Sequence, residues 1–156
     1  MTAVRLEPMS PERYVTWRAY SVANYAAENV KSGHWTADEA LARSETEFHG
    51  YLPEGPDTAN NHLWSVVDET SGDEVGILWV ATDRRPGLAF IFDIAMDPDR
   101  RGQGFGTAAL LALEDWCRAN GQTSIGLHVF GHNTGAWQLY KRMGYIETNV
   151  NMEKHL

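Results

Sequence analysis

The first third of the chain combines one short apolar alternation with two stretches of helical character. Val4 to Leu6 alternates between apolar and polar residues, as strands do. Ser10-Pro11 supplies a cap residue followed by proline at the first helical position, which predicts a helix from Pro11 to about Lys31. The segment Thr36 to Glu39 has the spacing of a capping box and predicts a second helix that ends near Pro53. The expected order is strand, helix, helix.

Beyond residue 60 the apolar pattern becomes that of strands. Two runs, 63–68 and 75–80, flank a turn-like segment at 70–73 and predict an antiparallel hairpin. A third run, 88–96, is apolar at nearly every position, which is typical of a strand covered on both faces. Asp93 is the one charged side chain in that run.

The last part of the chain returns to helices and strands in turn. Apolar residues at three- and four-residue steps predict a helix, and alternation predicts the strand that follows it. The expected elements are a helix from Phe105 to about Gly121, a strand over 125–130, a short helix from Asn133 to Gly144, and a final strand over 145–155. Together these patterns predict one mixed α/β domain that spans residues 1–156.

Composition and charge narrow the possible functions. The 13 Lys and Arg against 21 Asp and Glu give a net charge of −8, which argues against a binder of duplex nucleic acid. Cys117 is the only cysteine, so no intramolecular disulfide is possible. No segment has the length and apolarity of a signal peptide or a membrane span. We therefore expect a cytoplasmic protein with neither nucleic acid nor membrane as a partner.

A glycine-rich connection joins the apolar strand to the helix after it. Gly102, Gly104 and Gly106 let the backbone approach an anion closely, and a helix N-terminus adds unpaired N–H groups. The pattern predicts a phosphate cradle. It is not a nucleotide P-loop, which needs Gly-Lys-Ser/Thr, and the third glycine of a Rossmann loop would fall at Thr107. A turn that merely packs the helix against a sheet is the alternative.

Two motifs carry a resemblance to a known family. Arg101-x-x-Gly104-x-Gly106 resembles the Arg/Gln-x-x-Gly-x-Gly/Ala signature of the GNAT superfamily of acyl-CoA-dependent N-acetyltransferases. Asn133-x-x-Ala136-x-x-Leu139-Tyr140-x-x-x-Gly144-Tyr145 resembles a second block of that superfamily, in the expected order. Segments at 25–30, 90–93, 127–133 and 149–156 are similar to its bacterial YycN-type subgroup. The resemblance thus covers most of the chain.

The resemblance implies a fold and a cosubstrate. The fold is the GNAT acyl-CoA N-acyltransferase fold, an α/β structure whose central, mostly antiparallel sheet is splayed at two parallel strands and flanked by helices. The cosubstrate is acetyl-CoA, with coenzyme A as product. Its pyrophosphate would bind the glycine loop, its pantetheine arm would pair with the preceding strand, and an N–H near Ile94 would act as oxyanion donor. The residues so implied are Ile94, Ala95, Met96, Arg101, Gly102, Gln103, Gly104, Phe105, Gly106, Thr107, Asn133 and Tyr140.

Three side chains are candidates for moving protons, Tyr140 as the acid and either His128 or Asp93 as the base. Tyr140 occupies the position from which many GNAT proteins donate a proton to the departing thiolate, and a core tyrosine is the alternative. His128 lies five residues before Asn133, where similar ribosomal-protein N-terminal acetyltransferases carry a glutamate base. Histidine accepts protons near neutral pH, and a structural histidine is the alternative. Strand parity predicts that His128 shares a face with Gly126 and Phe130.

Acceptor binding has its own candidates. Asp93 is predicted either to be hydrogen-bonded structurally or to anchor a cationic substrate, because burying an unpaired carboxylate is unfavourable. Tyr25 and Glu28 belong to a segment that borders the acceptor pocket in similar proteins. His128 and His132 lie four residues apart across a strand end and a loop, so we predict no metal site.

The sequence as a whole predicts an N-acetyltransferase. It would transfer acetyl from acetyl-CoA to a primary amine of a small molecule by direct attack in a ternary complex. A protein or peptide acetyltransferase acting on N-termini or lysines, and a noncatalytic acyl-CoA-binding module, are the alternatives. A basic patch near the phosphates would comprise Arg100, Arg101, Lys141 and Arg142. Both a monomer and a homodimer are compatible with the sequence.

Overall fold

The computed structural model describes residues 2–156 and arranges them as five strands and four α-helices. The strands form one sheet in the order β1-β2-β3-β4-β5. They are β1 (Val4–Pro8), β2 (Asn61–Asp68), β3 (Glu74–Ala81), β4 (Leu88–Met96) and β5 (Ser124–Leu127). The helices are α1 (Pro11–Lys31), α2 (Ala37–Tyr51), α3 (Phe105–Ala119) and α4 (Thr134–Arg142).

The sheet is antiparallel from β1 to β4 and parallel between β4 and β5. The parallel pairing is short, from Leu88 opposite Ser124 to Ile91 opposite Leu127. Helix α3 makes the crossover that two parallel neighbours require. This topology confirms the predicted fold class, a mostly antiparallel sheet with two parallel strands and flanking helices.

The helices cover opposite faces of the sheet. Leu110 and Leu113 of α3 are fully buried in one core cluster together with Leu78 of β3. Trp17 of α1 packs in a second cluster with Trp79 of β3. Successive residues of a strand point to opposite faces, so Leu78 and Trp79 serve different cores. The sheet therefore lies between two layers of helices and contributes side chains to both cores.

Capping residues explain where the helices begin. The Ser10 hydroxyl accepts a hydrogen bond of 3.1 Å from the Arg13 amide at the start of α1. The Glu39 carboxylate accepts a bond of 3.3 Å from the Thr36 amide before α2. Asn133 caps α4 through its side-chain oxygen. These contacts satisfy N–H groups that a helix leaves unpaired at its first turn, and they confirm the predicted starts.

The end of β5 differs from the prediction. The strand ends at Leu127 and does not continue to Phe130, so His128 lies just beyond it. In β4, Asp93 pairs with Trp79 but Ile91 pairs with the adjacent Val80, which leaves one extra residue in β4 at that point. Such a bulge bends its strand, and the β4–β5 ladder stops at Ile91. Because His128 lies beyond the ladder, the prediction that it shares a strand face with Gly126 and Phe130 does not apply.

The predicted strand over 145–155 is also wrong. Residues from Tyr145 onward form no strand, and every residue from Ile146 to Leu156 is exposed. The alternation of apolar and polar residues is present, but strands also require a backbone partner for their N–H and C=O groups. No strand among residues 2–156 pairs with this segment.

Candidate active site

The parting of β4 and β5 opens a cleft of about 130 Å³. Its walls come from β4, from the segment that follows β5, and from α4. Asp93, His128 and Tyr140 all line it, as do the predicted cofactor residues Ile94 and Asn133. The fold thus brings together the three side chains that the sequence nominated for chemistry.

Asp93 is held by helix α1. Its Oδ2 atom accepts a hydrogen bond of 2.9 Å from the indole Nε1 of Trp17 and one of 3.3 Å from the hydroxyl of Ser21. Burial raises the pKa of the Asp93 carboxyl above its usual value, and these two donors, together with the backbone amide of Ile94, partly oppose that rise. Asp93 is therefore hydrogen-bonded within the structure, as one of the two alternatives predicted, and it also lines the cleft.

Tyr140 projects from α4 into the same cleft. Burial raises the pKa of its phenol to about 12, and the nearby charge of Asp93 adds to the effect. The phenol is therefore fully protonated at neutral pH. It can donate a hydrogen bond, and it gives up its proton less readily than a free tyrosine does.

Aromatic and histidine rings surround the mouth of the cleft. His128 is exposed and meets Phe130 edge-on, with ring centroids 5.1 Å apart. His132 stacks on the other side of this cluster, 5.5 Å from Phe130. Nε2 of His132 also contacts the Glu28 carboxylate of α1. Glu28 therefore ties α1 to the segment after β5, through a histidine that stacks on the cleft residue Phe130.

Two of these rim residues were not anticipated as functional. Phe130 lines the cleft and His132 contacts Glu28. The sequence signal was the alternation of aromatic and histidine residues from His128 to His132. Nothing local revealed that α1 would approach this segment, because Glu28 and His132 are remote in the chain.

Tyr25 does not line the cleft. Its ring packs between α1 and α2, 5.3 Å from Trp35 and 6.0 Å from Phe48. Burial, with a further contribution from Glu47, raises its pKa to about 12. In this position Tyr25 supports the helix that carries Glu28.

The glycine loop has the backbone form that an anion cradle requires. Gly102 and Gly104 have φ angles of +70° and +86°, a region that other residues rarely adopt. Gly104 is the cap of α3, and the Ala108 amide is the first to bond back to its carbonyl, at 3.0 Å. The amides of residues 105–107 precede this ladder and point toward the helix N-terminus. They form a site suited to phosphate.

Hydrogen bonds from side chains to backbone carbonyls hold this loop in place. The Arg101 guanidinium donates a hydrogen bond of 3.3 Å to the Met96 carbonyl. The Gln103 amide donates one of 2.9 Å to the Asp99 carbonyl, and the Thr2 hydroxyl donates one of 3.1 Å to the Gln103 carbonyl. These bonds use carbonyl groups and leave the amides of the loop free for an anion.

The end of β4 offers a second backbone surface. Beyond Ile91, β4 pairs with β3 among the described strands, through Ile94 opposite Leu78 and Met96 opposite Gly76. The edge of residues 94–96 that faces β5 has no ladder. An extended amide-containing arm could pair there in the manner of an added strand. Strand β4 therefore connects the cradle to the cleft.

Two other features bear on the site. A shallow groove of about 450 Å³ lies on the outer side of α4, where Trp137, Lys141 and Arg142 meet Glu147, away from the cleft residues. Within residues 2–156, no cluster of three or more His, Cys, Asp or Glu side chains is arranged to hold a metal ion. None of the described helices has both the length and the apolarity that crossing a membrane requires.

Known acetyltransferases resemble this chain in sequence and fold. The model of the Acetyltransferase (GNAT) family matches residues 26–145. The uncharacterized N-acetyltransferase YdgE of Bacillus subtilis is 36% identical over 156 residues, 99% of each chain. The crystal structure of the uncharacterized N-acetyltransferase YycN from B. subtilis is 36% identical in sequence, covers 99% of both chains and has a TM-score of 0.93. A mycothiol acetyltransferase of Kytococcus sedentarius is 27% identical over 127 residues, 81% of this chain and 40% of that protein.

Proposed function

Because this chain belongs to the acetyltransferase (GNAT) family, we propose that it transfers an acetyl group from acetyl-CoA to a primary amine, by direct attack in a ternary complex. One observation carries the proposal. The glycine cradle at residues 102–106 and the cleft with Asp93, His128 and Tyr140 lie at the two ends of the same splayed segment of β4. A long cosubstrate with phosphates at one end and a reactive group at the other fits that arrangement.

The backbone binds acetyl-CoA in this proposal. The amides of Gln103 to Thr107 hold the pyrophosphate, helped by the dipole of α3. The free edge of residues 94–96 would hold the pantetheine arm, and an N–H near Ile94 would serve as the oxyanion donor. Arg101, which adjoins the loop, adds positive charge near the phosphates. When bound, acetyl-CoA supplies the activated acetyl group, and the protein positions it.

The amine must lose a proton before it attacks. A lysine-like amine with a pKa near ~10.4 is about 3.4 units above pH 7, which is roughly 4.6 kcal/mol, whereas an α-amine near ~7.8 needs about 1 kcal/mol. We assign His128 as the base that accepts this proton, since it lines the cleft and is exposed. We assign Asp93 to the binding of the cationic amine before the proton leaves, since it lines the same cleft.

Tyr140 acts as a hydrogen-bond donor to the departing sulfur. A thiol has a pKa near ~8.5, while the Tyr140 phenol is at about 12. Complete proton transfer from the phenol would therefore be uphill by roughly 3.5 pKa units, about 5 kcal/mol. A hydrogen bond that stabilises the developing thiolate avoids that loss. Tyr140 thus assists the leaving group without ionising.

A small acceptor suits the cleft better than a long peptide. The volume is about 130 Å³, which is small for an extended peptide. The K. sedentarius relative is named for mycothiol and not for a protein.

An acceptor panel tests the proposal. Thiol release from acetyl-CoA is followed with small alkylamines, with peptides bearing free N-termini, and with peptides bearing lysine. We expect turnover with at least one small amine and its loss in His128→Gln. Turnover confined to peptides would replace the small-molecule assignment. Binding of coenzyme A by calorimetry, with no turnover of any amine and no acetylated product in a lysate, would identify a noncatalytic module.

A further inference from the structure

Three aromatic side chains form a partly open apolar surface that begins at the cleft. Phe92, which lines the cleft, stacks on the buried ring of Trp79 with centroids 4.5 Å apart. Tyr51 of α2 and Phe90 of β4 lie 4.8 Å and 5.0 Å from Phe92. Phe90 and Phe92 are half-buried, and Tyr51 is 46% exposed. We call Tyr51, Phe90 and Phe92 the aromatic platform.

The guanidinium of Arg84 lies over this platform. Arg84 belongs to the turn between β3 and β4, and its Cζ atom is 3.9 Å from the ring centroid of Phe90 and 5.7 Å from that of Phe92. The residue is exposed, and no carboxylate among residues 2–156 forms an ion pair with it. A guanidinium that stacks on a ring keeps the N–H donors at its edge available to an anion.

Gly126 of β5 leaves the neighbouring part of the sheet uncovered. Gly126 pairs with Phe90 in the parallel ladder. A Cβ atom at this position would lie 3.1 Å from the Leu88 side chain and 3.6 Å from the Phe90 ring. A larger side chain at position 126 would therefore crowd the ring on which Arg84 rests.

The position of Arg84 separates it from the phosphates of the cosubstrate. Arg84 precedes β4, whereas the glycine cradle follows that strand. The strand rises by roughly 20 Å between Phe90 and Met96, but by only roughly 10 Å between Phe90 and Asp93. An anion at Arg84 is therefore not the pyrophosphate that the cradle holds. Arg84 lies nearer to the carboxylate that we assign to acceptor binding.

We propose that Arg84 binds an anionic group of the acceptor, so that the substrate is a primary amine with a carboxylate or a phosphate roughly 10 Å from its nitrogen. The amine lies at Asp93, an apolar spacer covers the aromatic platform, and the anion accepts hydrogen bonds from the guanidinium. This inference rests on the proposed function, since it extends the acceptor site of that reaction. Arg84 selects the substrate and takes no part in the transfer itself.

The charges around the cleft distinguish this acceptor from a diamine. The chain has a net charge of −8, and Asp93 lines the cleft. Negative charge alone would favour acceptors with several ammonium groups. Arg84 repels a second ammonium group at the far end of the platform, and repulsion of a competing ligand contributes to specificity as much as attraction does. An acceptor with one charge of each sign matches both residues.

Initial rates with matched amines test the proposal. Straight-chain primary amines of roughly six to ten carbons, which span about 10 Å, are compared in forms that end in a methyl, a carboxylate, a phosphate or a second amine. With acetyl-CoA saturating, kcat/KM for the best anionic form should exceed that for the methyl form of equal length by roughly 10-fold or more. The diamine should not exceed the methyl form.

Substitutions at position 84 separate charge from packing. Arg84→Met keeps a long apolar side chain next to Phe90 but removes the charge, so the preference for the anionic form should fall roughly 10-fold while the rate with the methyl form changes little. Arg84→Lys should retain part of the preference, because its charge remains. Arg85→Met is the matched control, since it removes equal charge from the adjacent exposed residue. It should leave the preference unchanged.

The outcomes that overturn the proposal are distinct from failure of the proposed function. A parent chain that prefers the diamine, or that has no preference for anionic forms, overturns it. So does an equal loss of preference in Arg84→Met and Arg85→Met, which would reflect net charge alone. If no amine is acetylated, the proposed function fails, and calorimetry of the same compounds with saturating coenzyme A decides the binding site. Tighter binding of the anionic form to the parent than to Arg84→Met supports the site, and equal binding overturns it.

Discussion

The indole of Trp17 donates a hydrogen bond of 2.9 Å to the carboxylate of Asp93, which joins a core residue of α1 to the carboxylate of the cleft. Trp17 is only 5% exposed and packs at right angles to Trp79, with ring centroids 5.5 Å apart. The position and the proton affinity of Asp93 therefore depend on how α1 packs on the sheet. Changes far from the cleft can alter its chemistry through this bond.

The substitution Asp93→Asn tests the effect of burying the Asp93 carboxylate. Burial raises the folded-state pKa of Asp93 above its unfolded value. Its favourable contribution is therefore present below the unfolded pKa and is lost as the pH rises through the folded pKa. We expect Asp93→Asn to gain stability relative to the parent chain as the pH rises toward 7, while kcat/KM falls roughly 10- to 100-fold because the acceptor anchor is lost. Urea unfolding at several pH values measures the stability.

Asp68→Asn is the control with the opposite sign. The hydrogen bond from the Thr70 amide is the largest contribution that lowers the pKa of Asp68. Its stabilising contribution is present above the unfolded pKa and is lost as the pH falls through the folded pKa. Asp68→Asn should therefore become less stable than the parent as the pH rises. If both variants moved in the same direction, burial would not be the cause of the Asp93 effect.

Trp17→Phe tests the hydrogen bond separately from the packing. Phenylalanine keeps most of the ring contacts but cannot donate to Asp93, and that donor normally lowers the carboxyl pKa. The pKa of Asp93 should rise further. The acid limb of the kcat/KM profile, which requires the Asp93 anion, should then move to higher pH. The control is Trp64→Phe, a buried tryptophan in the other core cluster. An equal shift in both variants would point to general loosening of the fold.

Gly104→Val and Tyr140→Phe should separate cosubstrate binding from chemistry. A β-branched residue is strained at a φ of +86°, by about 1–3 kcal/mol, so acetyl-CoA should bind roughly 10- to 100-fold more weakly. Tyr140→Phe should mainly lower kcat, because only the hydrogen bond to the leaving sulfur is lost. Calorimetry and steady-state kinetics provide the two readouts.

Gly121→Val is a matched control for strain in the cradle. Gly121 also has a left-handed φ, of +76°, but lies past the other end of α3. We expect it to lower stability without changing the affinity for acetyl-CoA. Equal losses of affinity in Gly104→Val and Tyr140→Phe would refute the division between backbone binding and side-chain chemistry.

The pH dependence of an alkylamine substrate tests the base. With acetyl-CoA saturating, kcat/KM should rise with pH between about 6 and 9, because the amine attacks only when neutral. His128→Gln should lower the rate roughly 100-fold where the base is needed. A profile that is flat over this range, for an amine whose own pKa lies within it, would show that deprotonation is not part of the limiting step. An unchanged rate in His128→Gln would move the role to Asp93.

Local sequence signals predicted most of the elements. The caps at Ser10 and Asn133 and the capping box at Thr36 act within one helical turn, so the helix starts could be read directly. The glycines with positive φ in the loop were likewise predicted from their immediate sequence neighbours. Asp93, His128 and Tyr140 were nominated one by one from motifs and from the cost of burying charge, and the fold brought them to one cleft.

The sequence did not determine which segments pair as strands. The residues after Leu127 and residues 145–156 both alternate as strands do, yet neither segment forms a ladder. The bulge in β4 removes one partner, and no described strand supplies the other. Residues far apart in the chain set the state of the site in the same way, as Trp17 does for Asp93 and Glu28 for His132. The sequence by itself determined the order of elements as far as α4, the position of the glycine loop and the family. The tertiary structure decided which edges stay open and which charges are buried, since both depend on contacts between distant segments.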